Sequence, residues 1–394
     1  MSARSKVFFI IDGNYFFFRT LFVMGEKVKG EDGQWLLINN EKTYSDFIKK
    51  LCLDFCAQYR NFRDIATEVV FVSDSKSWRK KYYPEYKANR LESEPQWNSK
   101  NLERAQKEFP QILAKAGVIL HKTDGAEGDD LITAWSNYAN SKKYDAIVFT
   151  GDKDMLQIVR THPNGRRVIV YDPSRSRIFI DQNFKKWHQS ESSIEESIFN
   201  IGTNTEEILK ESYTGLIRNL NSKRFEFIDI NSYNFLMRKV LIGDGGDNVP
   251  SVYSYQKNGK TYKISEKKAD AILEDANIPV DDLNRDIMLS NDEALRKIVN
   301  SIIKIMKITT SDYNSILENL KRNITLMTLS ETFIDAEVYE NMMQDILSIT
   351  SEPRNIDIEK LSSSDKLLAD TAYIKQKTSF IKDDVIQDFS FIKG

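Results

Sequence analysis

The sequence predicts an α/β protein with a mostly parallel sheet in its first half and a mostly helical second half. Two observations carry this. Val7-Phe8-Phe9-Ile10-Ile11, Val69-Val70-Phe71-Val72 and Ala146-Ile147-Val148-Phe149 are short and apolar throughout, as strands buried on both faces are, with intervals long enough for crossover helices. From about Phe184 the texture changes to long polar segments of helical period with few β-branched runs.

Taken in order, the first apolar run is β and stops at Asp12. The stretch around Leu51, Cys52, Leu53, Phe55 and Cys56 is an apolar helix, and Val69–Val72 is the second strand. Glu127-Gly128-Asp129-Asp130 opens a helix carrying Leu131, Ile132, Ala134 and Trp135, since acids favour helix N-termini. Ala146–Phe149 is the third strand. Arg167 to Tyr171 and Arg177 to Ile180 read as a strand pair turning through Asp172-Pro173-Ser174-Arg175. Helical patterns follow over Glu206 to Tyr213, Tyr233 to Ile242, Glu266 to Glu274, Glu293 to Lys307 and Tyr313 to Leu320. The division expected is a catalytic α/β unit over 1–185, a helical unit over 186–348 and a polar tail over 349–394.

The 394 residues, 41% hydrophobic and 29% charged, exclude a disordered or collagenous chain. No run approaches the roughly 18 apolar residues of a spanning helix, and Val7–Ile11 is too short for a signal sequence, so a cytoplasmic protein without membrane contact is expected. Only 2 Cys argue against a disulfide scaffold, and with 3 scattered histidines they suggest buried thiols rather than a zinc site. Lys plus Arg (56) nearly cancel Asp plus Glu (58), so net charge alone does not announce a nucleic-acid binder.

The distribution of charge says more. Each predicted strand delivers an acid to its carboxyl end: Asp12, then Asp74, then Asp152 and Asp154. In open parallel sheets ligands bind outside those ends, so three separate runs bring carboxylates to one edge. Any one of these acids is as readily a cap or a turn residue. Together they would repel one another without cations, and an oxygen-only cluster selects hard ions, Mg²⁺ or Mn²⁺. Two such ions about 4 Å apart are suited to hydrolytic phosphoryl transfer. Just after Asp74 comes Trp78-Arg79-Lys80-Lys81-Tyr82-Tyr83-Pro84-Glu85-Tyr86-Lys87-Ala88-Asn89-Arg90, where cations interleave with aromatics as phosphate contacts and base stacking require. A solvated helix face with core aromatics is the plainer alternative.

In order along the chain, Asp12-Gly13-Asn14 with Arg19, Asp74 with Trp78-Arg79, Tyr83-Pro84-Glu85-Tyr86-Lys87 to Arg90, Glu127 to Asp130, Thr150-Gly151-Asp152-Lys153-Asp154 and Ile242-Gly243-Asp244-Gly245-Gly246-Asp247-Asn248-Val249-Pro250 form a series. It resembles the flap endonuclease and 5′-3′ exonuclease family, which includes the 5′-nuclease domain of bacterial DNA polymerase I, and is most similar to the free-standing phage type, the T-even ribonuclease H. The resemblance covers roughly residues 7 to 275. It implies a PIN-like, Rossmann-like sheet with helices on both faces, and a helical domain with a helix-hairpin-helix.

The resemblance implies that Asp12, Asp74, Glu127, Asp129 and Asp152 hold a first Mg²⁺ or Mn²⁺, with Asp130 adjoining, and that Asp154, Asp244 and Asp247 form a second acidic cluster. Catalytic roles fall to Asp129, Asp152, Lys87 and Arg90, the last two at the foot of a helical arch over about 78–105. DNA contacts fall to Asn14, Arg19, Arg79, Lys80, Tyr86, Lys87, Arg90, Ser265, Lys267 and Lys268. The implied substrates are DNA with 5′ flaps or nicks and RNA–DNA hybrids such as replication primers. A sliding clamp and a single-strand-binding protein are implied partners of a monomer.

One departure stands out. The family's Gly-Ile-Gly hairpin, which uses main-chain amides and a potassium ion, is here Lys263-Ile264-Ser265-Glu266-Lys267-Lys268-Ala269, preceded by an insertion from about Tyr253 to Tyr262. Both glycines are absent, and with them the backbone geometry of the potassium site. At the C-terminus, Gln387, Phe389 and Phe391 resemble the short tails that dock into sliding clamps. Two rival readings are a PIN-type ribonuclease, which does not predict Asp244 and its motif, and a non-catalytic junction-binding replisome protein, which does not predict intact acids at every position.

Overall fold

The computed structural model describes residues 7–24, 40–60, 62, 66–89, 99–162, 166–174, 177–181, 215–219, 225–228, 232–279, 285–308, 310–351, 356–358 and 361. Its centre is a sheet of nine strands. They are β1 (Val7–Asp12), β2 (Glu68–Val72), β3 (Ile119–His121), β4 (Asp145–Phe149), β5 (Arg160–Thr161), β6 (Arg167–Asp172), β7 (Arg177–Asp181), β8 (Gly215–Asn219) and β9 (Phe225–Ile228). The order is β3-β2-β1-β4-β6-β7-β8-β9, with β5 pairing β6 off this path. β3, β2, β1, β4 and β6 are parallel, as the apolar runs predict, and β7, β8 and β9 continue antiparallel.

Strand periodicity explains the two cores. Val7, Phe9 and Ile11 of β1, Val69 and Phe71 of β2, and Ile147 and Phe149 of β4 face one layer. That layer holds α1 (Gly13–Met24), α2 (Glu41–Arg60) and α4 (Ser99–Lys115), and Phe16 stacks on Phe109 at 5.8 Å. The alternate residues Phe8, Ile10, Val70, Val72, Ala146 and Val148 face the other layer, with α5 (Gly128–Ser141). Cys52 and Cys56 form no disulfide among the described residues and are buried in the first layer, as expected of structural thiols.

A third cluster lies in the helical part, formed by α6 (Ser232–Ile242), α7 (Glu266–Ala276), α8 (Arg285–Ser290), α9 (Asp292–Met306) and α10 (Tyr313–Met327). Here the predicted helices at Tyr233, Glu266, Glu293 and Tyr313 are found. A two-stranded ribbon, β10 (Ser254–Lys257) and β11 (Lys260–Lys263), occupies the insertion before α7.

The structure departs from the linear division of the chain. Gly215–Asn219 and Phe225–Ile228 fall where the texture suggests helix, yet they extend the sheet from β7; the Phe225-Glu226-Phe227 alternation is a strand signal. At the other end, α11 (Ala336–Thr350) returns to the sheet, where Val338, Met342 and Ile346 pack against the α5 layer. Ile358 and Leu361, in the expected tail, are buried in the first layer. The arch expected to reach residue 105 overlaps α4, whose Leu102 and Ala105 are core. Residues 90–98, the helical pattern at 206–213, and the tail with Gln387, Phe389 and Phe391 lie outside the described residues. Among the described residues no helix is long and apolar enough to cross a membrane.

Candidate active site

β2, β1 and β4 are neighbours, and the acids at their carboxyl ends open into one cavity of about 1300 Å³. Asp12, Asp74, Glu127, Asp129, Asp152, Asp154, Asp244 and Asp247 all line it, with Asn14, Arg19 and Lys87. Acids from five distant segments meet in a single place. No His or Cys is among the lining residues, so the donors are the oxygen set that hard cations prefer.

Each acid is positioned by its own local structure. Asp12 ends β1 and accepts hydrogen bonds from the Tyr15 N–H at 2.9 Å and the Thr150 hydroxyl at 2.9 Å. Asp74 follows β2 and accepts from the Asn14 amide and from the Gly128 N–H that opens α5. A Cβ on Gly128 would lie 2.6 Å from Asp74 Oδ1, so only glycine permits this approach. Asp152 caps the 3-10 turn Lys153–Ile158 by accepting from the Asp154 N–H at 2.9 Å.

Charge separates these acids into three kinds. Asp12 is only 8% exposed, and burial, reinforced by Asp74 and Asp152, pushes its carboxyl up to about 7. Burial likewise drives Asp129 well above the usual carboxylate range, with Asp152 and Asp12 adding to it and Lys87 opposing. These mutually repelling groups lack sufficient counter-charge from the protein. Glu127 is the second kind: burial works against its charge, but Lys87 and Arg79 hold it down at about 2. The third kind is Asp154 and Asp244, which both pair with Lys239, the latter at 2.6 Å. Burial disfavours the Lys239 ammonium, yet Asp154 and Asp244 raise its pKa above the ordinary lysine range.

Among the described residues no three acids close around one point as they stand. The cause is visible in the bonds above: Asp12, Asp74, Asp152, Asp154 and Asp244 are each turned toward a protein donor. The donor set and the mutual repulsion among Asp12, Asp129 and Asp152 fit a divalent cation.

Lys87 stands between the clusters. Its ammonium pairs with Glu127 and lies 3.9 Å from Asp247, and its backbone has φ 57°, unusual for a long side chain. Docking of its loop holds it there: the Lys87 N–H donates to Asp247 O at 2.9 Å, Asn89 Nδ2 to Gly245 O at 2.6 Å, and Asn248 Nδ2 to Glu85 O at 2.8 Å.

Three expected roles are corrected. Asp130 does not face the cavity; it is fully buried and forms a bidentate pair with Arg79, at 2.8 and 2.9 Å, while accepting from Trp78 Nε1 at 3.0 Å. Arg79 is 2% exposed and also donates to Leu326 O at 2.7 Å, so it joins α3 (Arg79–Tyr82), α5 and α10 and has no surface to offer DNA. Tyr86 is buried, and its hydroxyl bonds Glu127 and Asp247 at 3.1 and 3.0 Å. The same composition serves exposed and buried roles, which is why interleaved aromatics and cations misled.

Asn14 and Arg19 line the cavity, Arg19 lying 3.9 Å from Asp54. Lys80, Ser265 and Lys267 are exposed, and Lys268 is partly so. Ser265 sits at the N-cap of α7 without a side-chain cap bond. Arg90 lies outside the described residues. Sequence reasoning missed Lys239, whose only signal is its place in the last turn of α6, five residues before Asp244, and Thr150, which precedes the Gly151-Asp152 turn and binds Asp12.

Residues 7–191 match the family described as 5′-3′ exonuclease, N-terminal resolvase-like domain. That stretch, just under half of the chain, is similar to this family. A 5′-3′ exonuclease from Buchnera aphidicola is 28% identical over 195 residues, covering 50% of each chain. The DNA polymerase I of Chloroflexus aurantiacus is 28% identical over 156 residues, 39% of this chain and 15% of the polymerase. This chain therefore spans at most half of these relatives. Among solved structures, the phage T5 5′-exonuclease with divalent zinc ions aligns over 87% of this chain and 99% of its own, at 16% identity and a TM-score of 0.46.

Proposed function

We propose that the chain is a divalent-metal-dependent, structure-selective 5′-nuclease that hydrolyses phosphodiesters in nicked or branched DNA and in RNA–DNA hybrids. The observation that carries this reading is the convergence of Asp12, Asp129 and Asp152, with Asp74, on one cavity at the sheet's carboxyl edge, where burial and their mutual repulsion raise Asp12 and Asp129. These four would hold the principal ion, Mg²⁺ or Mn²⁺, and Asp154, Asp244 and Asp247 a second, with Glu127 acting mainly as the partner of Lys87 and Arg79.

A bound divalent ion supplies Lewis acidity at the phosphoryl oxygens. The chain's own groups do the rest. Lys87, fixed by its docked loop, presents an ammonium to the charge that develops on the phosphate in the transition state. Thr150 and the Tyr15 N–H orient the Asp12 carboxylate, and the Gly128 N–H orients that of Asp74. Arg90 beside Lys87, primer removal as the cellular task, and clamp docking through Gln387, Phe389 and Phe391 are carried by the family resemblance.

The deciding experiment incubates the chain with end-labelled 5′ flap, nicked duplex, RNA–DNA hybrid and single-stranded RNA, with and without Mg²⁺. Metal-dependent release from 5′ ends is expected, with Asp152→Asn inactive but still binding substrate. Cleavage of single-stranded RNA in preference to the flap, or full activity in Asp152→Asn, would overturn the proposal.

A further inference from the structure

The ribbon β10–β11 has an order that its surroundings do not require. Its register pairs Tyr255 with Tyr262 and Lys257 with Lys260. Asn258 and Gly259 at its tip have φ 52° and 71°, the geometry of a tight hairpin turn that favours Asn-Gly. Val252 and Ile264, both fully buried in the helical core, fasten its two ends. An isolated hairpin is marginal in water, so this one is specified by its turn, its anchors and its cross-strand pairs.

Both of its strands are exposed along their whole length. One face carries Tyr253, Tyr255 and Tyr262 with Lys257 and Lys260 toward the tip, because residues two apart share a face. Tyr255 and Tyr262 stack at 5.2 Å and 15°, and Tyr253 lies 6.1 Å from Tyr255. Tyr255 and Tyr262 nevertheless stay 38% and 43% exposed. The other face carries Ser254, Gln256, Thr261 and Lys263, so the ribbon holds three lysines and no acid.

We propose that this ribbon is a duplex-binding element, holding the double-stranded arm of the substrate beside the acidic cavity. The inference rests on the nuclease reading for its substrate class. The location supports it: β11 leads within three residues into α7, whose Glu266 and Asp270 line the cavity. Charge supports it too, since the cavity is rich in acids and the net charge of −2 gives no general attraction for DNA. Two strands about 4.8 Å apart with their side chains fit a major groove about 12 Å wide. The ring faces are largely spent on one another, which leaves edges, hydroxyls and ammonium groups for a backbone rather than open platforms for unpaired bases.

The test measures binding of the full chain by fluorescence anisotropy without divalent metal, to a blunt duplex of about two helical turns and to a single strand of equal length, across a salt series. Lys257→Gln/Lys260→Gln should weaken duplex binding at least about tenfold and reduce the slope of log K against log salt by about 2. Lys257→Arg/Lys260→Arg should restore both, and the unfolding midpoint of each variant should match the wild type. Unchanged duplex affinity and slope in the Gln variant would overturn the proposal, as would an equal loss for the single strand. A wild type that binds duplex through the ribbon yet cleaves nothing with Mg²⁺ would remove the nuclease reading and leave the ribbon's role standing.

Discussion

Arg79 offers the sharpest test of how the site is held. Arg79→Met keeps much of the side-chain volume but removes the guanidinium that spans both Asp130 oxygens and meets Glu127 and Leu326 O. Asp130, with no exposure, is then a buried carboxylate without its cation. Breaking one side of such a pair costs about 3–5 kcal/mol. Asp130 keeps two donors, Trp78 Nε1 at 3.0 Å and the Glu127 N–H at 3.1 Å, which favours the lower end. The Leu326 carbonyl loses its partner, adding about 1 kcal/mol or more. We expect a loss of about 4 kcal/mol, read by guanidinium unfolding with fluorescence from the buried Trp78 and Trp135. Arg79→Lys should not rescue, because an ammonium cannot bridge both oxygens. Arg79→Met/Asp130→Leu should recover much of the loss, since a buried pair replaced by apolar groups is often close to neutral. A single variant within 1 kcal/mol of wild type, or a double variant as unstable as the sum of both singles, would refute the reasoning.

Four further outcomes are expected. Gly128→Ala places a methyl 2.6 Å from Asp74 Oδ1 and should weaken Mn²⁺ binding about 10–100-fold by calorimetry, with little effect on unfolding. Lys239→Met frees Asp154 and Asp244 from their counter-ion and should tighten binding of a second Mn²⁺ by about tenfold or more, seen as added stoichiometry in the same titration. Asp129→Asn should lower cleavage by about a thousandfold or more while substrate affinity in Ca²⁺ stays within a few-fold, measured by single-turnover kinetics beside anisotropy. Burial, with Arg160 nearby, depresses the His162 imidazole to about 3. A folded pKa below the unfolded one gives stability that is full above about 6.5 and lost as pH falls toward 3, at most about 5 kcal/mol and less to the extent that solvent reaches the ring. His162→Gln should flatten that acid limb of the stability curve, and an unchanged limb would count against it.

Much of the fold was legible because its signals are local. Apolar runs without alternation marked β1, β2 and β4, and the rule that ligands gather at the carboxyl ends of parallel strands put Asp12, Asp74 and Asp152 in one place before any coordinates. β8 and β9 were not legible as part of the sheet, because a strand four or five residues long beside helical texture gives little periodicity to count. The return of α11 to the α5 layer was equally hidden, since its apolar stripe fits any neighbouring core.

Which acids gather is written in the chain; which of them meet a protein cation is not. Asp130 and Asp129 are adjacent, yet one is bound by Arg79, 51 residues away, and the other faces Asp12 and Asp152 across the cavity. Lys239 reaches Asp154 over 85 residues, and Tyr86 reaches Asp247 over 161. Residue type and spacing fix the sheet edge to which carboxylates are delivered. The free energy of a buried charge depends on the partners and solvent within a few ångströms of it, and only the packed chain sets those distances.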